Sequence, residues 1–114
     1  MPLVTPTTVV CGPPGSGKTT YVAERAKWGD LIVDLDALFV AFSGQRMYDK
    51  PDNLLPFVCE ARDAVIRRLS QPSELRHAWI IMGGAIRAAR EAFKGAEVVV
   101  LPVDPLECIA RISR

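Results

Sequence analysis

The chain alternates between short, continuous apolar runs and longer segments in which apolar residues recur every three or four positions. Continuous apolar runs are typical of strands buried on both faces of a sheet, and the longer period is typical of helices. The pattern predicts strands over residues 7–11, 31–36, 77–82 and 97–103. It predicts helices over residues 17–28, 37–42, 53–69, 85–93 and 105–114, with a polar loop over 45–51.

The alternation of strands and helices predicts an α/β fold, with a parallel sheet covered by helices on both faces. Right-handed crossovers bring the carboxyl ends of all such strands to one edge, and ligands bind along that edge. A glycine-rich loop after the first strand lies there, and so do two acidic residues, Asp34 and Asp36. Gly83-Gly84 and Asp104 also follow strands and are expected at the same edge.

The composition indicates what kind of protein carries this fold. The 114 residues, 49% hydrophobic and 24% charged, fit a single globular domain spanning residues 1–114. A net charge of +1 gives no strong bias toward nucleic acid or membrane. No apolar run has the length of a membrane span and the amino terminus lacks a signal-peptide pattern, so we expect a cytoplasmic protein without a membrane partner. Three cysteines without metal-ligand spacing are expected to be free thiols.

The loop after the first strand contains the pattern G-x-x-x-x-G-K-[ST]. Glycines let the backbone wrap tightly, so that several N–H groups converge on a polyphosphate, and the following helix adds its positive amino end. In this reading Lys18 reaches the β- and γ-phosphates and the Thr19 hydroxyl ligates Mg²⁺. The predicted nucleotide-binding residues are Gly12, Pro13, Pro14, Gly15, Ser16, Gly17, Lys18, Thr19 and Thr20.

Two carboxylates are predicted to face this loop across the sheet edge. Asp36 is the favoured base, because a carboxylate there can accept the proton of an attacking hydroxyl or help Thr19 hold Mg²⁺. Asp34 is expected beside the metal or in a structural role. Alternatively, Asp36 only caps the short helix that follows it.

These residues, with the segment Val103–Arg114, make the chain resemble small P-loop kinases often labelled AAA-family ATPases. That group includes polynucleotide 5′-hydroxyl kinases, gluconate-type kinases and zeta-toxin-like kinases, and phage genomes often encode such domains. The resemblance implies a three-layer P-loop NTPase fold with sheet order 2-3-1-4. It also implies transfer of the ATP γ-phosphate to a hydroxyl of a small molecule or a nucleic-acid 5′ end. Arg111 and Arg114 would cover the nucleotide, and Asp36 would activate the acceptor.

The sequence departs from this family at three places. The family often has an arginine three residues after the catalytic aspartate, where it grips the acceptor phosphate. That position is Phe39 here, which counts against phosphorylated or nucleic-acid acceptors. The third strand ends in Met82-Gly83-Gly84, without the usual acid. Relatives continue through a lid and a fifth strand, both missing here. The chain is therefore expected to be incomplete at its carboxyl end, or completed by a second copy or a partner chain.

The sequence is also compatible with two other functions: an ATPase whose cycle drives a conformational change, and a nucleotide-binding or interaction module without turnover. Outside the motif, His77 is expected to be structural, and Trp28 and Trp79 are expected to pack in the core or at its edge. The loop residues Arg46, Tyr48 and Lys50 either line the acceptor side near Asp36 or are simply solvated.

Overall fold

Strands and helices alternate along the chain in the computed structural model, which describes residues 3–13, 15–46, 50–83 and 91–101. The strands are β1 (Thr7–Cys11), β2 (Leu31–Asp34), β3 (Ala78–Met82) and β4 (Glu97–Val100). The helices are α1 (Lys18–Arg25), α2 (Leu35–Ser43) and α3 (Leu55–Arg68), with a 3-10 turn over Asp52–Leu54 before α3. The predicted helices over 85–93 and 105–114 fall mostly or wholly outside the described residues.

The four strands form one parallel sheet in the order β2-β3-β1-β4, which confirms the predicted order. The register places Val9 of β1 opposite Ile80 of β3 and Val98 of β4. Strand β1 therefore lies inside the sheet, and its carboxyl end is flanked by the ends of two neighbouring strands.

Alternate residues of β1 face the two halves of the core. Val9 and Cys11 pack with Val33, Ile80 and Leu69, which follows α3. On the opposite face, Val10 packs with Trp79 of β3 and Val22 of α1. All five residues of β1 are buried, as its continuous apolar pattern predicts. Helices thus lie on both faces of the sheet.

Strand β2 is shorter than predicted. It ends at Asp34, and α2 begins at the next residue rather than at 37. The physical reason is a helix cap: the Asp34 carboxylate accepts a hydrogen bond from the backbone N–H of Asp36 at 3.0 Å. Asp36 therefore lies in the first turn of a helix, and the expectation of a strand reaching it is wrong.

Helix α1 also ends early, at Arg25 rather than 28, because Ala26 adopts an extended backbone. Trp28 is consequently outside the helix and fully exposed, at 101%, so the expectation that it packs in the core is wrong. In α3, Val58 and the adjoining Leu69 are buried and Ile66 packs on the core, whereas Val65 is exposed.

None of the helices in the described part of the chain is long and apolar enough to cross a membrane.

One carboxylate joins the amino ends of β2 and β3. Asp30 accepts hydrogen bonds from the guanidinium of Arg76, from Trp79 Nε1 at 3.1 Å and from the backbone N–H of Lys27 at 2.9 Å. Its side chain is only 1% exposed. The hydrogen bonds from Arg76, the largest influence, hold the pKa of Asp30 well below its usual value of 3.8. The cluster fixes the turn after α1 against the sheet.

We expect Asp30→Asn to destabilise the fold at pH 7 and to reduce its sensitivity to acid. Because the folded-state pKa is lowered, the carboxylate stabilises the fold above about pH 4, and this contribution is lost as the pH falls further. Urea unfolding at pH 7 and pH 3 should show a large difference between wild type and D30N at pH 7 and a smaller one at pH 3. Asp63→Asn is the control, since exposed Asp63 pairs only with its neighbour Arg62. If wild type and D30N differed in unfolding free energy by the same amount at pH 7 and pH 3, the stabilising role of the ionised Asp30 carboxylate would be contradicted.

Candidate functional site

The loop between β1 and α1 leaves the sheet at its carboxyl edge. Gly15 and Gly17 have φ values of 80° and 87°, a left-handed conformation that favours glycine. The N–H of Ser16 donates to the carbonyl of Pro13 at 3.1 Å and tightens the loop. Gly17 is the N-cap of α1, so no side chain caps the first turn of this helix. The loop therefore keeps helix amides available for a ligand. Pro14 lies outside the described residues.

Lys18, the first residue of α1, folds back over this loop. Its Nζ donates hydrogen bonds to the carbonyl of Gly12 at 2.7 Å and to that of Pro13 at 3.1 Å. Both acceptors are neutral main-chain oxygens, so the ammonium group has no ion-pair partner among the described residues. A positive charge is thus held at the loop together with the amino end of a helix, a combination that attracts anions.

Gly12 is required by close packing rather than by an unusual backbone. A Cβ at this position would lie 2.6 Å from Ser16 Oγ and 3.1 Å from the carbonyl oxygen of Leu101. Ser16 is only 7% exposed, and its Oγ has no hydrogen-bond partner among the described residues. The N–H of Leu101, just after β4, donates to the carbonyl of Cys11 at 2.9 Å. The residue that follows β4 therefore packs directly against the loop. The sequence did not predict this contact, because it arises only from the position of β4 beside β1 in the sheet.

Cys11 lies directly before the loop and is buried in the core. Burial raises the pKa of its thiol, while the nearby Lys18 charge acts in the opposite direction. The raised pKa keeps the thiol protonated at neutral pH, so Cys11 acts as a packing residue. Cys59 is a half-buried free thiol, and Cys108 lies outside the described residues.

Asp34 lies at the same edge as the loop. Desolvation by burial raises the pKa of its carboxyl group, while the backbone N–H of Asp36 and the Lys18 charge lower it. The contact that the structure shows for the Asp34 carboxylate is the helix cap of α2.

Asp36, two residues further on, has a different partner. Its Oδ1 forms a salt bridge with Nζ of Lys50, and the two side chains are 37% and 40% exposed. The contact places Lys50 beside Asp36, as in the first of the two alternatives left open for this loop. Arg46 is exposed, and Tyr48 lies outside the described residues. Among the described residues, this edge therefore carries an acid–lysine ion pair between Asp36 and Lys50.

The remaining predicted site residues are placed as follows. Thr19 and Thr20 are exposed in the first turn of α1. Within the described ranges, no group of three or more His, Cys, Asp or Glu side chains is arranged to hold a metal ion. Arg111 and Arg114 lie outside the described residues. His77 contacts Thr8 Oγ1 through its Nε2 at 2.7 Å and packs against the ring of Trp79, an arrangement that supports a structural role.

No protein-family model matches the sequence, and no curated protein matches it. Among solved structures, the fold is similar to that of TT1252 from Thermus thermophilus, with a TM-score of 0.57 and 18% sequence identity. The alignment covers 95% of this chain and 71% of that one. At this level of identity the likeness shows the shared α/β fold alone.

The packing of Gly12 gives a test of the loop geometry. We expect Gly12→Ala to destabilise the fold by about 1–3 kcal/mol, because its Cβ overlaps Ser16 Oγ. Adding Ser16→Gly removes the closest clash, so the cost of G12A measured in an S16G background should be smaller. Gly83→Ala is the matched control, since a Cβ there meets no atom of the described residues within 4 Å. Equal denaturant midpoints for G12A and G83A would contradict the close packing of Gly12 against Ser16 and Leu101.

Proposed function

We propose that the chain is a P-loop protein that binds ATP and transfers its γ-phosphate to a hydroxyl group. The observation that carries the proposal is the sequence G-x-x-x-x-G-K-T located between an interior strand of a parallel sheet and a helix. This is the structural context that the motif requires. The left-handed glycines and the ammonium of Lys18 over the loop also support an anion-binding role.

In the proposed reaction, the loop amides and Lys18 hold the phosphates of ATP. The acceptor oxygen forms a bond to the γ-phosphorus while the bond to the β–γ bridging oxygen breaks, and ADP leaves with that electron pair. The proton of the acceptor hydroxyl passes to the carboxylate of Asp36. Asp34 serves as a metal-side or structural group.

A Mg²⁺ ion fits the donor set of this edge, because the Thr19 hydroxyl and the carboxylates of Asp34 and Asp36 are the oxygen ligands that this hard cation prefers. Thr19 and Asp36 would hold it. When bound, the ion neutralises phosphate charge during transfer. Arg111 and Arg114 are the proposed residues that cover the nucleotide.

One sequence feature favours a second candidate. The residues Met82-Gly83-Gly84 follow β3 without an acid, at a position where P-loop enzymes usually carry one. A nucleotide-binding module without turnover is therefore the main alternative to the kinase. An ATPase, which hydrolyses ATP without an acceptor, is the other.

The nucleotide site is tested with Lys18→Ala. Loss of charge-assisted hydrogen bonds worth about 1.5–3 kcal/mol should weaken Mg²⁺–ATP binding about 10- to 100-fold in calorimetry. Lys27→Ala is the control, because Lys27 is an exposed lysine beyond the other end of α1. Unchanged affinity in K18A, with K27A behaving identically, would refute a phosphate-binding role for this loop.

Catalysis is tested with Asp36→Ala and labelled ATP against a panel of nucleosides, 5′-hydroxyl oligonucleotides and sugars. Removing the base should slow transfer about 10²- to 10⁴-fold while ATP binding persists. Transfer by neither protein, together with retained ATP binding, would favour the binding module. Release of phosphate without a labelled acceptor would favour an ATPase.

A further inference from the structure

The salt bridge between Lys50 and Asp36 defines a charged position beside the proposed catalytic base. Lys50 is 14 residues beyond Asp36 and precedes the 3-10 turn at Asp52, so the contact brings a separate segment to the carboxyl edge. Both side chains are more than a third exposed. A ligand approaching Asp36 from solvent therefore meets the ammonium of Lys50 as well.

Helix α2 itself supplies no cation at this position. Its sequence, Leu35–Ser43, contains no lysine or arginine, and Phe39, one turn beyond Asp36, is buried at 4% exposure. Lys18 Nζ instead donates hydrogen bonds to the carbonyls of Gly12 and Pro13 in its own loop. Among the described residues, Lys50 is the cation that contacts the carboxylate of Asp36.

An ammonium group has three N–H donors, and among the described residues Lys50 contacts one carboxylate oxygen, Asp36 Oδ1. The remaining donors can bind an anionic oxygen while the contact with Asp36 persists. Two hydrogen bonds of about 2.8 Å that share this nitrogen place the bound oxygen at most about 5.6 Å from Asp36 Oδ1. A hydroxyl close to that anionic group would then lie within reach of the Asp36 carboxylate.

We propose that Lys50 selects an acceptor with a carboxylate or phosphate a few ångströms from the hydroxyl that is phosphorylated. This inference rests on the proposed kinase function and names the chemical class of its second substrate. It revises the expectation drawn from Phe39 that phosphorylated acceptors are disfavoured, because the cation comes from the segment before α3 instead of from α2.

The test uses pairs of acceptors that differ in one charged group: glycerol with glycerate, and adenosine with adenosine 3′-monophosphate. Wild type should use the charged member of a pair with at least a tenfold higher kcat/KM. Lys50→Met should lower kcat/KM for the charged member, mainly through KM, at least tenfold more than it lowers kcat/KM for the neutral member. Lys50→Arg should restore the preference in part, and Lys27→Met is the control with no effect.

A second measurement does not depend on turnover. With ¹³Cε-labelled lysine, the NMR signal of Lys50, assigned from its absence in K50R, should shift saturably with the charged compounds and not with the neutral ones. A charge preference that survives in K50M, or a Lys50 signal that no charged compound moves, would overturn the inference. The kinase proposal fails separately, if wild type does not bind Mg²⁺–ATP.

Discussion

The structure depends on one constraint: β1 is buried on both faces and hydrogen-bonded along both edges. A strand in this position cannot turn back within the sheet, so the chain must leave at the carboxyl edge. There it is confined between Leu101 after β4 and the first turn of α1. The tight turn over residues 12–17 follows from that confinement, and glycine at positions 12, 15 and 17 makes it possible.

The same edge collects charge because parallel strands end together there. Asp34 ends β2 and caps α2, which explains how a half-buried carboxyl group is tolerated: the N–H of Asp36 satisfies it. Lys50, from the segment before α3, forms a salt bridge with Asp36, and Lys18 of α1 folds back over the loop after β1. The charged side chains of this edge therefore come from different segments of the chain.

The opposite edge of the sheet is held together by polar contacts among its own residues. Asp30, whose carboxylate is buried, gathers Arg76, Trp79 and the backbone of Lys27 into one hydrogen-bonded network, and His77 bonds to Thr8. These contacts tie the amino ends of β2 and β3 to the turn after α1. Open parallel sheets generally bind ligands at the other edge, at the carboxyl ends of their strands.

The sequence by itself determined the α/β class, the span of β1 and the loop motif, since apolar runs and a fixed glycine spacing are local signals. The order 2-3-1-4 came from resemblance, and the structure confirmed it. Only the tertiary structure decided that β2 stops at Asp34, that Trp28 is exposed, that Leu101 walls the loop and that Lys50 pairs with Asp36. Each of these depends on a helix cap or on a contact between segments distant in the chain, and neither leaves a periodic pattern in the residues.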